Sequence, residues 1–224
     1  MHREATEMST RSHRIRLIDA WSFVLVVTLF ASSQCCDGTG GDERGGPERP
    51  TVTEESAVAT IALEGIPILV RRPGETEFAR VADLRLIEAG TTIRTNRDWL
   101  SLNVARSIQV QLSPLTELLV IGPEVRSGSP MIVLGLQAGE VRVNAIACDR
   151  PVLLDTPLAS ISGTRSHFTA IVASKEGAPT LEVEALTRGL VVSSDEGSLS
   201  LPLMGLGFVE EFTAPRLLPR PPGR

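Results

Sequence analysis

The chain has 224 residues, 42% of them hydrophobic, which is enough for one core of ordinary size and excludes wholesale disorder. Aromatic residues make up only 4% and Tyr is absent, so that core must be built from Val, Leu, Ile and Ala. A net charge of -5 with no basic stripe argues against nucleic acid as a partner, and three Cys cannot make a disulfide framework.

The first predicted element is a leader over residues 1–36. Arg11, His13, Arg14 and Arg16 form a positive flank, and residues 17–31 are mostly apolar. The run beyond Asp19, residues 20–31, softened only by Ser22 and Thr28, suits a signal-peptide core of about 7–15 residues better than a membrane span of about 20. Ala31 and Ser33 fit the small-x-small pattern of a cleavage site. Cys35 and Cys36 follow at once, which resembles the start of a bacterial lipoprotein, although Ser32 and Gln34 hold the places where the usual lipidation motif has an aliphatic and a small residue. Three outcomes are open: lipidation at Cys35 or Cys36, cleavage after Ser33, or retention of residues 17–33 as a signal anchor. Each places the rest of the chain beyond the membrane, on the periplasmic side of the cell envelope.

Residues 37–56, DGTGGDERGGPERPTVTEES, have no periodicity and are rich in Gly, Pro and charge, as a flexible tether is. A domain is expected over residues 57–212. Its clearest strands are residues 57–63, 99–104, 108–112, 117–121, 131–136, 140–145, 151–155, 168–174, 181–185, 190–194 and 198–202. Several alternate strictly, as in Glu140-Val141-Arg142-Val143-Asn144, and period two marks a strand with one dry face. Turn signals recur about every ten residues, among them Gly122-Pro123, Ala138-Gly139, Glu176-Gly177 and Glu196-Gly197. Residues 78–89 hold the best helix candidate, but with mixed apolar spacing and no good cap they read as strand and loop. The expected fold is all-β: a twisted β-sandwich or short β-solenoid of about a dozen short antiparallel strands. Residues 213–224 are Pro-rich and basic and should be extended and solvated.

The order of the motifs is similar to that of the FecR-like domain, a periplasmic all-β module, over residues 57–210. Gly65 precedes a strand and Arg72-Pro73-Gly74-Glu75 follows it. Leu86 and Gly90 lead into Ile93-Arg94-Thr95, and Leu100-x-Leu102 comes next. The most family-like run is Ile108-x-Val110-x-Leu112-x-Pro114-x-Thr116-x-Leu118. Leu136-x-x-Gly139-Glu140-Val141 matches the next hairpin, and Thr156-Pro157 with Gly163-Thr164 matches the one after. Leu181-x-Val183, Gly189-x-Val191 and Leu203-x-Gly205-x-Gly207 close the domain. Two places depart: Thr91 stands where the family has Asp, and Ser166 where it has an aromatic. The resemblance implies the fold and the compartment. It does not imply sigma-factor regulation, because the cytoplasmic side would hold only about sixteen residues.

Chemistry is sparse. His167 is the sole His after residue 13, and beside Ser166 it reads as an edge or turn residue rather than half of a triad. Cys148, Asp149 and His167 are scattered ligand candidates, and Asp195, Glu196, Glu210 and Glu211 lack calcium-loop spacing. An enzyme would need a pocket uniting His167, Asp155 and Cys148. No nucleophile elbow, zinc helix or phosphate loop occurs, so no catalytic residue, cofactor or metal is expected. The expected role is a non-enzymatic binding or scaffold module whose partner is an envelope protein or cell-wall glycan, with the membrane engaged through the leader or a lipid. Transmembrane signalling by a retained anchor is the other reading.

Overall fold

Alternation of apolar and polar residues sets the architecture. In Ile108–Leu112 the residues Ile108, Val110 and Leu112 are buried while Gln109 and Gln111 are exposed, and the same rhythm runs through Leu100–Val104. A computed structural model describes residues 57–62, 66–82 and 84–219, all within the compact unit Arg49–Arg224. The leader with Cys35 and Cys36, the tether and Gly65 lie outside the described residues. Seventeen strands and no helix are present among the described residues. They are β1 Ala57–Ile61, β2 Ile68–Arg71, β3 Ala79–Val81, β4 Leu86–Glu88, β5 Thr91–Arg94, β6 Leu100–Val104, β7 Ile108–Leu112, β8 Glu117–Arg126 and β9 Ser129–Asn144. Then follow β10 Val152–Asp155, β11 Ser160–Gly163, β12 His167–Lys175, β13 Ala178–Ala185, β14 Leu190–Ser194, β15 Gly197–Leu201, β16 Leu206–Glu210 and β17 Arg216–Leu218.

The strands form two layers. The front sheet has the order β4-β1-β6-β7-β9-β12-β13-β16-β17. The back sheet has the order β3-β2-β5-β8-β9-β10-β11-β14-β15. Strand β9 belongs to both: its residues 129–138 pair in the back sheet and its residues 139–144 in the front. The layers therefore make one hydrogen-bonded network of seventeen strands. Everything before β9 lies on one side of it in both layers, and everything after it on the other.

One pair is parallel, β9 with β10, matching Val152 to Ile132 and Asp155 to Gly135. A parallel pair needs a crossover of about a dozen residues or more. Here residues 136–151 supply it by passing through the front sheet, which lets a parallel pair form without a helix.

The inner faces meet in one apolar cluster. The front sheet contributes Leu102, Val110, Val143 and Phe168, and the back sheet Val70, Leu118, Leu134 and Ile161, all essentially inaccessible to water. Val, Leu, Ile and Ala make up this cluster apart from Phe168 and Cys148, in keeping with the aromatic-poor composition. Each buried Val, Leu, Ile or Phe side chain contributes about 1.5–3 kcal/mol by leaving water.

Several boundaries differ from the sequence reading. Residues 131–136 and 140–144 belong to one strand, because Gly139 (φ +88) bends β9 between layers instead of reversing it, and Ala145 falls just past its end. Gly122 (φ +95) likewise lies within β8, where the register shifts between Val120 and Gly122 as in a bulge. Residues 78–89 hold β3 and β4, as strand and loop. The tail is extended and exposed at Arg216 and Leu217, yet β17 is hydrogen-bonded to β16, so the domain runs past residue 212.

Where β9 changes layer, a polar knot replaces apolar packing. The Thr116 hydroxyl donates to the carbonyl of Glu140 (3.0 Å) and accepts from the Glu140 N–H (3.1 Å). It also contacts the Ser113 hydroxyl at 3.0 Å. The Thr95 hydroxyl donates to the Ser113 carbonyl (2.7 Å) and accepts from the Thr116 N–H (2.8 Å). These groups belong to the family-like run around Pro114 and to Gly139-Glu140. Their task is to satisfy backbone that neither sheet can pair.

Candidate binding face

The structure separates His167 from Asp155 along β9. His167 opens β12 opposite Asn144 of β9, whereas Asp155 ends β10 opposite Gly135 of β9. Those two positions on β9 are nine residues apart, about 30 Å of strand. Asp155 accepts from Arg126 at 2.7 Å and from Ser160 at 2.8 Å. Cys148 is buried and free, its N–H bonded to the carbonyl of Ala145. Asp149 is tied to Arg165 at 2.6 Å. Ser166 is fully buried, and its hydroxyl has no partner among the described residues. It sits against Gly163, where an added Cβ would lie 2.8 Å from the Ser166 Cβ. The Gly163-Thr164 motif thus serves a tight turn. Glu210 pairs with Arg216 at 3.2 Å, and Asp195, Glu196 and Glu211 are solvated. No group of three His, Cys, Asp or Glu is placed to hold a metal ion among the described residues.

A different arrangement emerges on the outer face of the front sheet. Period-two alternation sends Ser101 and Asn103 of β6, Gln109 and Gln111 of β7, Arg142 and Asn144 of β9, and His167 of β12 to the same side. The registers align them in two cross-strand rows. One is Asn103, Gln109, Asn144, His167; the other is Ser101, Gln111, Arg142, Thr169. At the usual strand spacing each row spans about 14 Å. The carboxamides of Gln109, Gln111 and Asn103 make no hydrogen bond among the described residues, while Asn144 accepts only a long bond (3.4 Å) from the Ile146 N–H. Donors and acceptors are therefore left facing water in a regular grid. Trp99, two positions before Ser101 and of the same parity, is 52% exposed.

His167 adds no charge to this face, for a physical reason. Burial, and then the positive charge of Arg142, push the His167 imidazole below its ordinary pKa of 6.5, so it is uncharged at neutral pH. A depressed folded value means that the unfolded chain binds the proton first. Stability should therefore decline as pH falls below 6.5 and through the lowered folded value, and His167→Gln should flatten that decline. Urea unfolding between pH 7 and about 5 reads this directly; identical pH curves for the two proteins would refute it.

Sequence reasoning missed the face because it looked for reactive groups. The signal was present in the polar positions of the alternating strands: amides, where charged side chains are the usual choice on a solvated sheet.

No family model matches the chain, and no curated protein matches it. Among solved structures the chain is similar to a candidate anti-sigma factor from Parabacteroides distasonis, in crystal structures at 1.65 and 2.50 Å resolution. The identities are 16% and 17%, the TM-scores 0.47 and 0.46, and 57% of this chain and 57% of that chain are covered in each case. The chain thus spans just over half the length of the protein it matches.

Proposed function

We propose that the domain is a non-catalytic binding module of the cell envelope, and that the outer face of the front sheet takes a neutral, hydroxyl-rich glycan of the cell wall. The observation that carries this reading is the cross-strand grid of Asn103, Gln109, Gln111 and Asn144, whose carboxamides have little or no internal engagement. Each carboxamide offers two donors and an acceptor, the complement of sugar hydroxyls and N-acetyl groups. With Arg142 as the single cation in the two rows, the grid favours such a ligand over phosphate, which selects clustered Arg and Lys. Exposed Trp99 adds an amphipathic ring of the kind that packs on a sugar face. The positive flank and apolar run of residues 11–31 support delivery to the envelope.

Co-sedimentation of the full chain with purified cell-wall sacculi tests the reading. The chain should pellet with sacculi, and a Gln109→Ala/Gln111→Ala double variant should bind about tenfold more weakly, a difference of about 1.4 kcal/mol. Trp99→Ala should do the same without a change in thermal stability, since the ring is half-exposed. A chain that stays in solution with sacculi, or variants that pellet equally, would overturn the proposal.

A further inference from the structure

The two layers end in four edge strands, and three of them are blunted. Strands β3, β4 and β17 have three residues each. They carry Arg80, Glu88 and Arg216 respectively, and Pro219 follows β17 closely. Short length, charge and proline are the usual guards of an open edge. Strand β15 is longer and carries no charge, and its one guard is Pro202 just past its end. It runs Gly197-Ser198-Leu199-Ser200-Leu201, is five residues long and uncharged, and pairs only with β14.

Its free groups can be located. Ser194 and Gly197 close a two-residue turn and so exchange both their backbone bonds. Alternation makes Val192–Leu199 and Leu190–Leu201 the next bonded pairs. The N–H and C=O groups of Ser198 and Ser200 therefore point outward, away from β14. Both residues are exposed.

We infer that β15 pairs antiparallel with β15 of a second copy of this chain, about a two-fold axis at Leu199. The sequence is self-complementary in that register. Ser198 faces the partner's Ser200 and Ser200 the partner's Ser198, and these are the residues whose backbone groups are free. Two such pairs give four backbone hydrogen bonds. Leu199 meets its own copy at a non-bonded position, where side chains approach most closely. It is partly buried against the core and faces inward, so pairing completes its burial and extends the apolar interior across both copies. A different partner strand would gain nothing from this symmetry; a second copy satisfies every outward group of both edges at once.

The test is the mass of the full chain in a density-matched mild detergent by sedimentation equilibrium. At about 100 μM the expected mass is that of two chains of 24.0 kDa. Ser200→Pro removes one outward N–H and leaves the bonds to β14 intact, a position where an edge strand tolerates proline. Ser198→Lys places a charge on the edge without touching the backbone. Both variants should give the mass of one chain, with circular dichroism unchanged. Should Ser200→Pro fail to fold, Ser198→Lys decides alone. A single-chain mass for the unaltered protein, or a two-chain mass that persists in the folded variants, would overturn the inference.

Discussion

Gly139→Ala is expected to destabilise the domain by about 4 kcal/mol or to prevent its folding. Two effects act together. The residue holds φ +88, which side chains other than glycine rarely adopt, and a Cβ there would lie 2.6 Å from the Thr116 Cα and 2.9 Å from the Leu115 carbonyl oxygen. Both obstacles are backbone, so no side-chain rotation relieves them. They also belong to the knot that closes the gap between layers. Gly177→Ala separates the two effects. Gly177 has φ +86 at the β12–β13 turn, with nothing within 4 Å of the added Cβ, so it should cost only about 1 kcal/mol. Urea midpoints of the two variants check this. Equal losses would mean that backbone conformation alone, and not the contact with Thr116, fixes Gly139.

Thr116→Val is expected to cost about 2 kcal/mol, nearly all from hydrogen bonding, since the side chains have almost the same shape. The hydroxyl serves both the N–H and the C=O of Glu140 and touches the Ser113 hydroxyl. Ser113 N–H also reaches the Glu140 carbonyl, so that acceptor keeps one partner. The Glu140 N–H loses the partner described here and is left at the buried crossing. The unfolding slope should stay the same while the midpoint falls. A variant as stable as the parent would show that water replaces the hydroxyl and that the knot is not a structural requirement. These two predictions concern the same joint, the first its space and the second its polar pairing.

Legibility in the sequence followed length and alternation. Strands β6, β7 and β13 were plain because apolar and polar residues alternate over five positions. Strand β5 was not, because Thr91 and Thr92 are both buried on opposite faces and so give no period. Strands β3, β4 and β17 are three residues each, too short for any period to register. Glycine misled in one specific way. At Gly128 and Gly177 a positive φ reverses the chain, and at Gly122 and Gly139 the same conformation only bends it. What separates the cases is whether the flanking residues find strand partners in other parts of the chain, which local sequence does not state. The parallel pairing of β9 with β10 was invisible for the same reason, since it follows from β9 changing layer. The candidate face was half legible: the polar parity of each strand could be read, but the register that lines up Asn103, Gln109, Asn144 and His167 could not.

The placing of β1 has a mechanical consequence. Although first in the domain, it lies inside the front sheet, paired with β4 on one side and β6 on the other. A pull on the chain at residue 57 acts along the strand and loads both ladders in shear. Their bonds must give way together rather than one after another. At the opposite terminus β17 is an edge with three register pairs to β16, and a pull there peels them singly. The domain should thus resist force strongly when pulled from residue 57 and weakly when pulled from β17.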